Sequence, residues 1–304
     1  MNYLELEKFL AKKIDHAKVD IIGKSVLNRY IYSVNFDFET KETVIIQGAI
    51  HAREHITTNL ICCLINDVSK NYNKYKALNT PNIIFIPMLN PDGVELCYKG
   101  LKSVENKKLR KFLLSINGSK DFSLFKANAN GVDLNTNFDA KWGSGKNNKL
   151  FPSTSDYIGE SPMSEPEVQA IAVLTNNIKP VFTISYHAKG QEIYYNFFNK
   201  KENLKRDYKI AKIISRSLHY RIKNLESESG GGYKDWCILR FGIPALTIEV
   251  GKDSLSHPIK ESAIKQIFNR NKNIIKCLSR VLKILNDKKW NYENCFKPSF
   301  ESKK

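Results

Sequence analysis

Four short, mostly apolar runs constrain what this chain can fold into. They are Thr43-Val44-Ile45-Ile46-Gln47-Gly48-Ala49-Ile50, Asn82-Ile83-Ile84-Phe85-Ile86-Pro87-Met88, Val181-Phe182-Thr183-Ile184-Ser185-Tyr186 and Pro244-Ala245-Leu246-Thr247-Ile248-Glu249-Val250. Each has strand length and is rich in β-branched residues, so each reads as a buried strand. The segment after the first run carries Leu60, Ile61, Leu64, Ile65 and Val68 at helical spacing. Further helices are expected over 4–18, 103–115, 164–177, 203–219 and 259–286. Further strands are expected over 25–38, as a hairpin with 43–50, and over 191–198. Ser164 and Glu167 have the spacing of a capping box, and Pro166 suits a first turn. The polar stretch 117–160 has little periodicity; structureless segments of that length in a compact domain are usually functional. No Pro/Gly/Ser linker divides the 304 residues. The expectation is one α/β domain over 1–288 with an N-terminal helix within 1–20, a mixed sheet covered by helices, and a tail over 289–304.

The strand ends carry the chemistry. His51-Ala52-Arg53-Glu54 follows the first run, and His187 closes Ser185-Tyr186-His187. Two histidines and a carboxylate are the ligand set of a catalytic zinc, which leaves a fourth position open; a structural zinc is usually closed by four protein ligands. One Zn2+ per chain is the implied cofactor. Both groups sit where ligands lie in open α/β sheets, outside the carboxyl ends of strands. The residues alone also admit two unrelated histidines, one capping a helix and one in the core. Glu249 is a carboxylate in an otherwise apolar strand, which is costly unless it is partnered or used. It is the candidate general base for a hydrolytic water; a salt-bridged strand-end glutamate is the other reading.

Composition excludes more than it selects. Apolar residues are 42% and charged residues 26%, as in ordinary globular proteins, so neither disorder nor a membrane span is expected. The first 18 residues lack the apolar core of a secretory signal, which points to a cytoplasmic protein. Six cysteines (Cys62, Cys63, Cys97, Cys237, Cys277, Cys295) form no C-x-x-C pair and read as free thiols. The 48 basic against 31 acidic residues give a net charge of +17. The lysines are dispersed without an arginine-rich or aromatic-interleaved stripe, so a small anionic substrate is a better partner than nucleic acid.

Five motifs together are similar to the zinc carboxypeptidases related to carboxypeptidase A. They are Gly48-Ala49-Ile50-His51-Ala52-Arg53-Glu54-His55, Asn90-Pro91-Asp92-Gly93, Gly131-Val132-Asp133-Leu134-Asn135, Ser185-Tyr186-His187 and Thr247-Ile248-Glu249. The resemblance covers roughly residues 20 to 285. It implies an α/β/α sandwich around a mixed, mainly eight-stranded sheet. It also implies His51, Glu54 and His187 as zinc ligands, Glu249 as general base, and Asp133 holding His51 in one tautomer. Because the similarity starts almost at once, no inhibitory pro-segment is expected before it.

The departures from that family point to a branch of it. Where the family clamps a terminal carboxylate with Asn-Arg, this chain has Asn135 and Thr136, and a threonine offers no bidentate fork. Ser227 stands where the family has a covering tyrosine. Lys126 is the candidate oxyanion cation, with Arg110 as the alternative. Lys234, in Gly230-Gly231-Gly232-Tyr233-Lys234-Asp235-Trp236, stands at the floor of the specificity pocket; the other reading is a solvated loop lysine. Arg53 and Tyr233 complete the substrate-binding candidates. The wording of 128–135, 186–194 and 231–236 resembles the bacterial γ-D-glutamyl-L-diamino acid endopeptidases. That resemblance implies hydrolysis of the bond from γ-D-glutamate to meso-diaminopimelate in murein stem peptides or muropeptides; the sequence shows no wall-binding repeats of the kind some members of the branch carry, so soluble substrates are expected. The alternatives are a metallocarboxypeptidase for ordinary peptides and an inactive peptide-binding relative.

Overall fold

A computed structural model describes residues 1–223 and 230–287. In chain order the strands are β1 (Ala17–Lys24), β2 (Tyr30–Phe36), β3 (Thr43–Gln47), β4 (Asn82–Ile86), β5 (Phe182–Ala188), β6 (Glu192–Tyr194), β7 (Arg221–Lys223) and β8 (Ala245–Val250). The helices are α1 (Tyr3–Leu10), α2 (Ile56–Lys70), α3 (Tyr72–Ala77), α4 (Pro91–Lys99), α5 (Lys107–Asn117), α6 (Pro166–Ile178), α7 (Lys201–Leu218), α8 (Tyr233–Phe241), α9 (Ile264–Asn271) and α10 (Ile274–Leu285).

All eight strands form one mixed sheet in the order β1-β2-β4-β3-β5-β8-β6-β7. The four apolar runs are its parallel centre, β4-β3-β5-β8. Strands covered on both faces need no polar alternation, and all seven residues of β5 are buried. Successive side chains feed opposite layers. Val44 and Ile46 pack with Leu60 and Leu64 of α2, Ile210 of α7 and Leu278 of α10. Ile45 joins Val168 and Ile171 of α6 and Trp236 of α8 on the other face. A satellite cluster of Leu96, Leu113, Phe122, Phe125 and Ala127 anchors the start of the long polar stretch.

The chain moves from β3 to β4 on one side, but β5 pairs on the other side of β3. That reversal opens a crevice outside the carboxyl ends of β3 and β5, where open α/β sheets hold ligands.

Local expectations needed correction at five places. The N-terminal helix ends at Leu10, and β1 occupies residues expected to be helical; Asn2 and Glu5 close a capping box, and His16 at φ 64° turns the chain into the strand. The hairpin partner of β2 is β1, not β3, because β3 is buried on both sides between β4 and β5. The expected Ser164/Glu167 capping box is absent: Glu165 is the N-cap, and the buried Glu167 carboxylate accepts from Val26 N and Asn128 Nδ2 instead. The strand over 191–198 shortens to β6. The helix over 259–286 breaks into α9 and α10, where buried Asn271 bonds to Ile267 O and Tyr220 Oη. The thiols of Cys62, Cys63, Cys97, Cys237 and Cys277 are free; Cys295 and the 289–304 tail lie outside the described residues.

Candidate active site

His51 is delivered by a short, tightly packed connection. Gly48 lies against α2, where a Cβ would meet Thr57 Oγ1 and Ile61 Cδ1 at 2.9 Å each, so only glycine fits. Ala49 N donates to Thr57 Oγ1 at 2.7 Å, and Thr57 Oγ1 donates to Glu54 O at 2.8 Å. His51 then caps the 3-10 turn Ala52–Glu54. In such a turn residues three apart eclipse, which puts His51 and Glu54 on one side.

His187 reaches the same point from β5. Its Nδ1 lies 3.1 Å from His51 Nδ1 and 3.1 Å from Glu54 Oε2, and His51 Nδ1 lies 2.9 Å from Glu54 Oε1. These three residues are buried and can hold a metal ion. Tetrahedral bonds of 2.0–2.1 Å place ligand atoms about 3.3 Å apart, close to the spacing seen. Two ring nitrogens facing each other beside a carboxylate form a donor set suited to a cation. Burial opposes ionisation of Glu54, but His51 and His187 outweigh it and hold its carboxyl well below the usual range.

Asp133 emerges from the polar stretch and caps the 3-10 turn Leu134–Thr136. Its Oδ1 lies 3.2 Å from His51 Nε2, within electrostatic contact although off-line for a hydrogen bond. Its Oδ2 lies 2.7 Å from Lys126 Nζ, which also approaches Asp156 Oδ1 at 3.4 Å. Burial acts against the charge of Asp133, and Lys126 followed by His51 overcomes it, so the carboxyl stays well below its usual range. Burial likewise acts against Lys126, and Asp133 overcomes it, so the ammonium stays charged. An ammonium has three donors. Two meet Asp133 and Asp156, which leaves one for another acceptor. Arg110, the alternative cation, sits on α5 and donates Nε to the Val104 carbonyl.

Glu249 is the register partner of His187 across the parallel β5–β8 pair. Its Oε2 is buried with no hydrogen-bond partner. Burial first, then repulsion from Glu54, raises its pKa well above the usual range. A carboxyl oxygen left without a partner beside a metal triad is available to accept a proton.

The other expected substrate residues behave differently. Tyr233 is corrected to a core residue: it is fully buried, and its hydroxyl pairs with Thr175 Oγ1 at 2.8 Å. Lys234 is not an open cation, since its Nζ bonds to Asp235 Oδ1 and, at 2.9 Å, to Asn196 O. Thr136 Oγ1 donates to Asp133 O at 2.8 Å, and Asn135 Oδ1 accepts from Tyr233 N at 3.2 Å. Arg53 Nε is buried without a partner. Ser227 lies outside the described residues. The sequence reading missed His257, eight residues beyond Glu249, whose Nδ1 is also buried and unpartnered. A histidine before a proline just after an active-site strand was the available signal. It also missed Lys189, two residues beyond His187.

The sequence profile of the zinc carboxypeptidase family matches residues 3–274. The chain belongs to that family. Among curated relatives it is 34% identical over 252 residues to gamma-D-glutamyl-L-diamino acid endopeptidase 1 of Lysinibacillus sphaericus, an alignment covering 79% of this chain and 62% of the relative. It is 29% identical to the uncharacterized protein YqgT of Bacillus subtilis, covering 84% of this chain and 69% of that one. The chain thus spans a little under two thirds of the endopeptidase it matches. Among solved structures, bovine thrombin-activatable fibrinolysis inhibitor superimposes with a TM-score of 0.72 at 22% identity, over 92% of this chain and 95% of that one. Murein-tripeptide amidase MpaA of Escherichia coli O157 superimposes with a TM-score of 0.56 at 20% identity, over 85% and 91%. This zinc carboxypeptidase family member therefore has the α/β/α sandwich and mixed eight-stranded sheet of its structural neighbours. Zn2+ is the family's metal, and the His51–Glu54–His187 triad can hold it.

Proposed function

We propose that the chain is a zinc metallopeptidase that hydrolyses the γ-D-glutamyl–meso-diaminopimelate bond of murein stem peptides or muropeptides. The observation that carries the hydrolytic part is the pairing of His187 with Glu249 across adjacent strands, beside His51 and Glu54. His51, Glu54 and His187 are the ligands in this reading. Zinc, when bound, polarises the scissile carbonyl and makes the attacking water more acidic. Glu249 Oε2, free of hydrogen bonds, takes the proton of that water and passes it to the leaving amine. Lys126 presents its remaining N–H to the oxyanion of the tetrahedral species. Asp133 orients His51.

The substrate class rests on the similarity to the endopeptidase and on Thr136, which stands where a carboxypeptidase needs an arginine. With its hydroxyl turned to Asp133 O, Thr136 has no grip on a terminal carboxylate. This weighs against the metallocarboxypeptidase reading. The retained unpartnered base weighs against an inactive binding protein. No described helix is long and apolar enough to cross a membrane. A cytoplasmic role in recycling or sporulation, acting on soluble murein peptides and not on nucleic acid, is part of this proposal.

The test is mass-spectrometric product analysis of zinc-loaded enzyme with L-Ala-γ-D-Glu-meso-diaminopimelate. Release of free diaminopimelate, abolished by a chelator, is expected. Cleavage of ordinary C-terminal residues with the tripeptide left intact would transfer the enzyme to the carboxypeptidase reading.

A further inference from the structure

The chemistry above leaves two buried acids unused. Glu165 and Glu167, at the start of α6, are buried, and no base among the described residues forms an ion pair with either. Arg29, on the turn beside them, is bound to Asp92 Oδ1 at 2.6 Å. The positive end of α6 offsets only part of the cost of such burial. Both acids converge on one carboxamide. Asn128, fully buried, donates Nδ2 to Glu165 Oε2 at 2.7 Å and to Glu167 Oε2 at 3.2 Å. Its Oδ1 accepts from Asn130 N and Val132 N at 3.1 Å each. Two N–H donors and two acceptor sites are all a carboxamide has. The reverse flip would set its oxygen against two carboxylates and its NH₂ against two N–H groups. The glutamates therefore dictate which way Asn128 faces, and Asn128 shapes the turn 128–132. Asn128 N donates to Val132 O at 2.9 Å, and Gly131 N donates to Asn128 O at 3.0 Å. Asn130 Nδ2 adds a bond to Glu165 Oε2 at 3.0 Å.

This turn is flanked by the chemistry. Lys126 precedes it and Asp133 follows it, and their side chains meet at 2.7 Å. Lys126 O accepts from Ala52 N, in the turn between His51 and Glu54, at 3.1 Å. Ala127 O accepts from Asn90 Nδ2 at 3.1 Å, and that same amide reaches Ile50 O at 3.2 Å. We propose that Glu165, Glu167 and Asn128 form a positioning brace, which sets the Lys126 ammonium where the oxyanion of the tetrahedral species develops. The inference rests on the reading of Lys126 as the oxyanion cation. The brace touches neither the triad nor Glu249, and it acts through Lys126. A donor aimed at developing charge counts only when it is already in place, and small misplacements are costly in rate. The brace therefore governs kcat more than KM.

The test is a double-mutant cycle on zinc-loaded enzyme with L-Ala-γ-D-Glu-meso-diaminopimelate, with zinc content and thermal unfolding recorded for each variant. Glu165→Ala should lower kcat about 10- to 100-fold and move KM by no more than about threefold. Glu165→Gln, whose amide oxygen still accepts from Asn128, should recover most of that loss. Lys126→Met should lower kcat about 10²- to 10³-fold. Adding Glu165→Ala to Lys126→Met should cost no more than about twofold further, because no ammonium remains to be positioned. Should Glu165→Ala fail to fold, Glu167→Ala runs the same cycle from the other arm of the brace. The cycle compares ratios of kcat, so it applies to whichever peptide the enzyme cleaves. Equal fractional losses with and without Lys126, or a rise in KM at unchanged kcat, overturn the brace and leave the Lys126 reading standing. Unchanged kcat in Lys126→Met overturns the oxyanion reading, and the brace with it.

Discussion

At the strand ends, Glu249 Oε2, His187 Nε2, Arg53 Nε and His257 Nδ1 are buried without hydrogen-bond partners. Along the Leu134–Thr136 turn and the start of α8, the corresponding groups are occupied by the protein itself. Thr136 is bonded to Asp133 and Tyr157, Asn135 to Tyr233 N, Tyr233 to Thr175, and Lys234 to Asp235 and Asn196. Buried polar atoms are normally satisfied, so open ones beside the triad are available to a metal or a ligand. The saturated wall is a scaffold that sets shape. Four of the residues expected to grip substrate belong to that scaffold, whereas Arg53, assigned only loosely, and His257, overlooked, belong to the open side.

The largest expected effect tests the open side. Glu249→Gln should lower turnover about 10²- to 10⁴-fold while elemental analysis still finds one zinc per chain. Near-normal turnover would remove Glu249 as the base. Next comes the saturated wall: Lys234→Met strands the buried Asp235 and should reduce unfolding free energy by about 3 kcal/mol in urea titration. If stability held while preference for diaminopimelate over lysine substrates vanished, Lys234 would belong to the open side. Asp133→Asn keeps the shape but weakens the hold on His51. Zinc affinity, by competition with a chromophoric chelator, should fall about 10- to 100-fold. Unchanged affinity would reduce Asp133 to a turn cap.

The last prediction concerns a buried carboxyl outside both regions. Burial, followed by the charge of Asp92, pushes Glu167 up to about 8. The folded state therefore holds a proton that the unfolded state releases near its ordinary carboxylate value. Its contribution is fully present below that ordinary value and is lost as pH rises through 8. Stability of wild type should decline over that window by more than that of Glu167→Gln. Parallel stability–pH curves would place the Glu167 pKa elsewhere.

Much of the site was legible from local sequence, and the reasons are physical. His51 and Glu54 share a four-residue motif, so one turn of chain sets their geometry. His187 and Glu249 each interrupt an apolar run, and a polar group in a buried strand announces itself. Asp133 came from the family resemblance. The 230–236 segment was assigned to the specificity pocket by the family resemblance, which carries no information on side-chain partners. Only coordinates reveal that Lys234 faces Asp235 and that the Tyr233 hydroxyl faces Thr175. The hairpin partner of β2 was misplaced for a related reason: adjacency in sequence favours β3, yet an apolar run buried on both faces belongs at the sheet's centre.

By itself the sequence determined the α/β class, the four central strands and the His51–Glu54 half of the metal site, because burial and short-range turns are encoded in runs of a few residues. The tertiary structure alone decided that β5 and β8 are neighbours, so that His187 and Glu249, 62 positions apart, stand in register. It also decided which cations are neutralised and which are open. Both are matters of long-range pairing, where a charge takes its meaning from what lies across the fold.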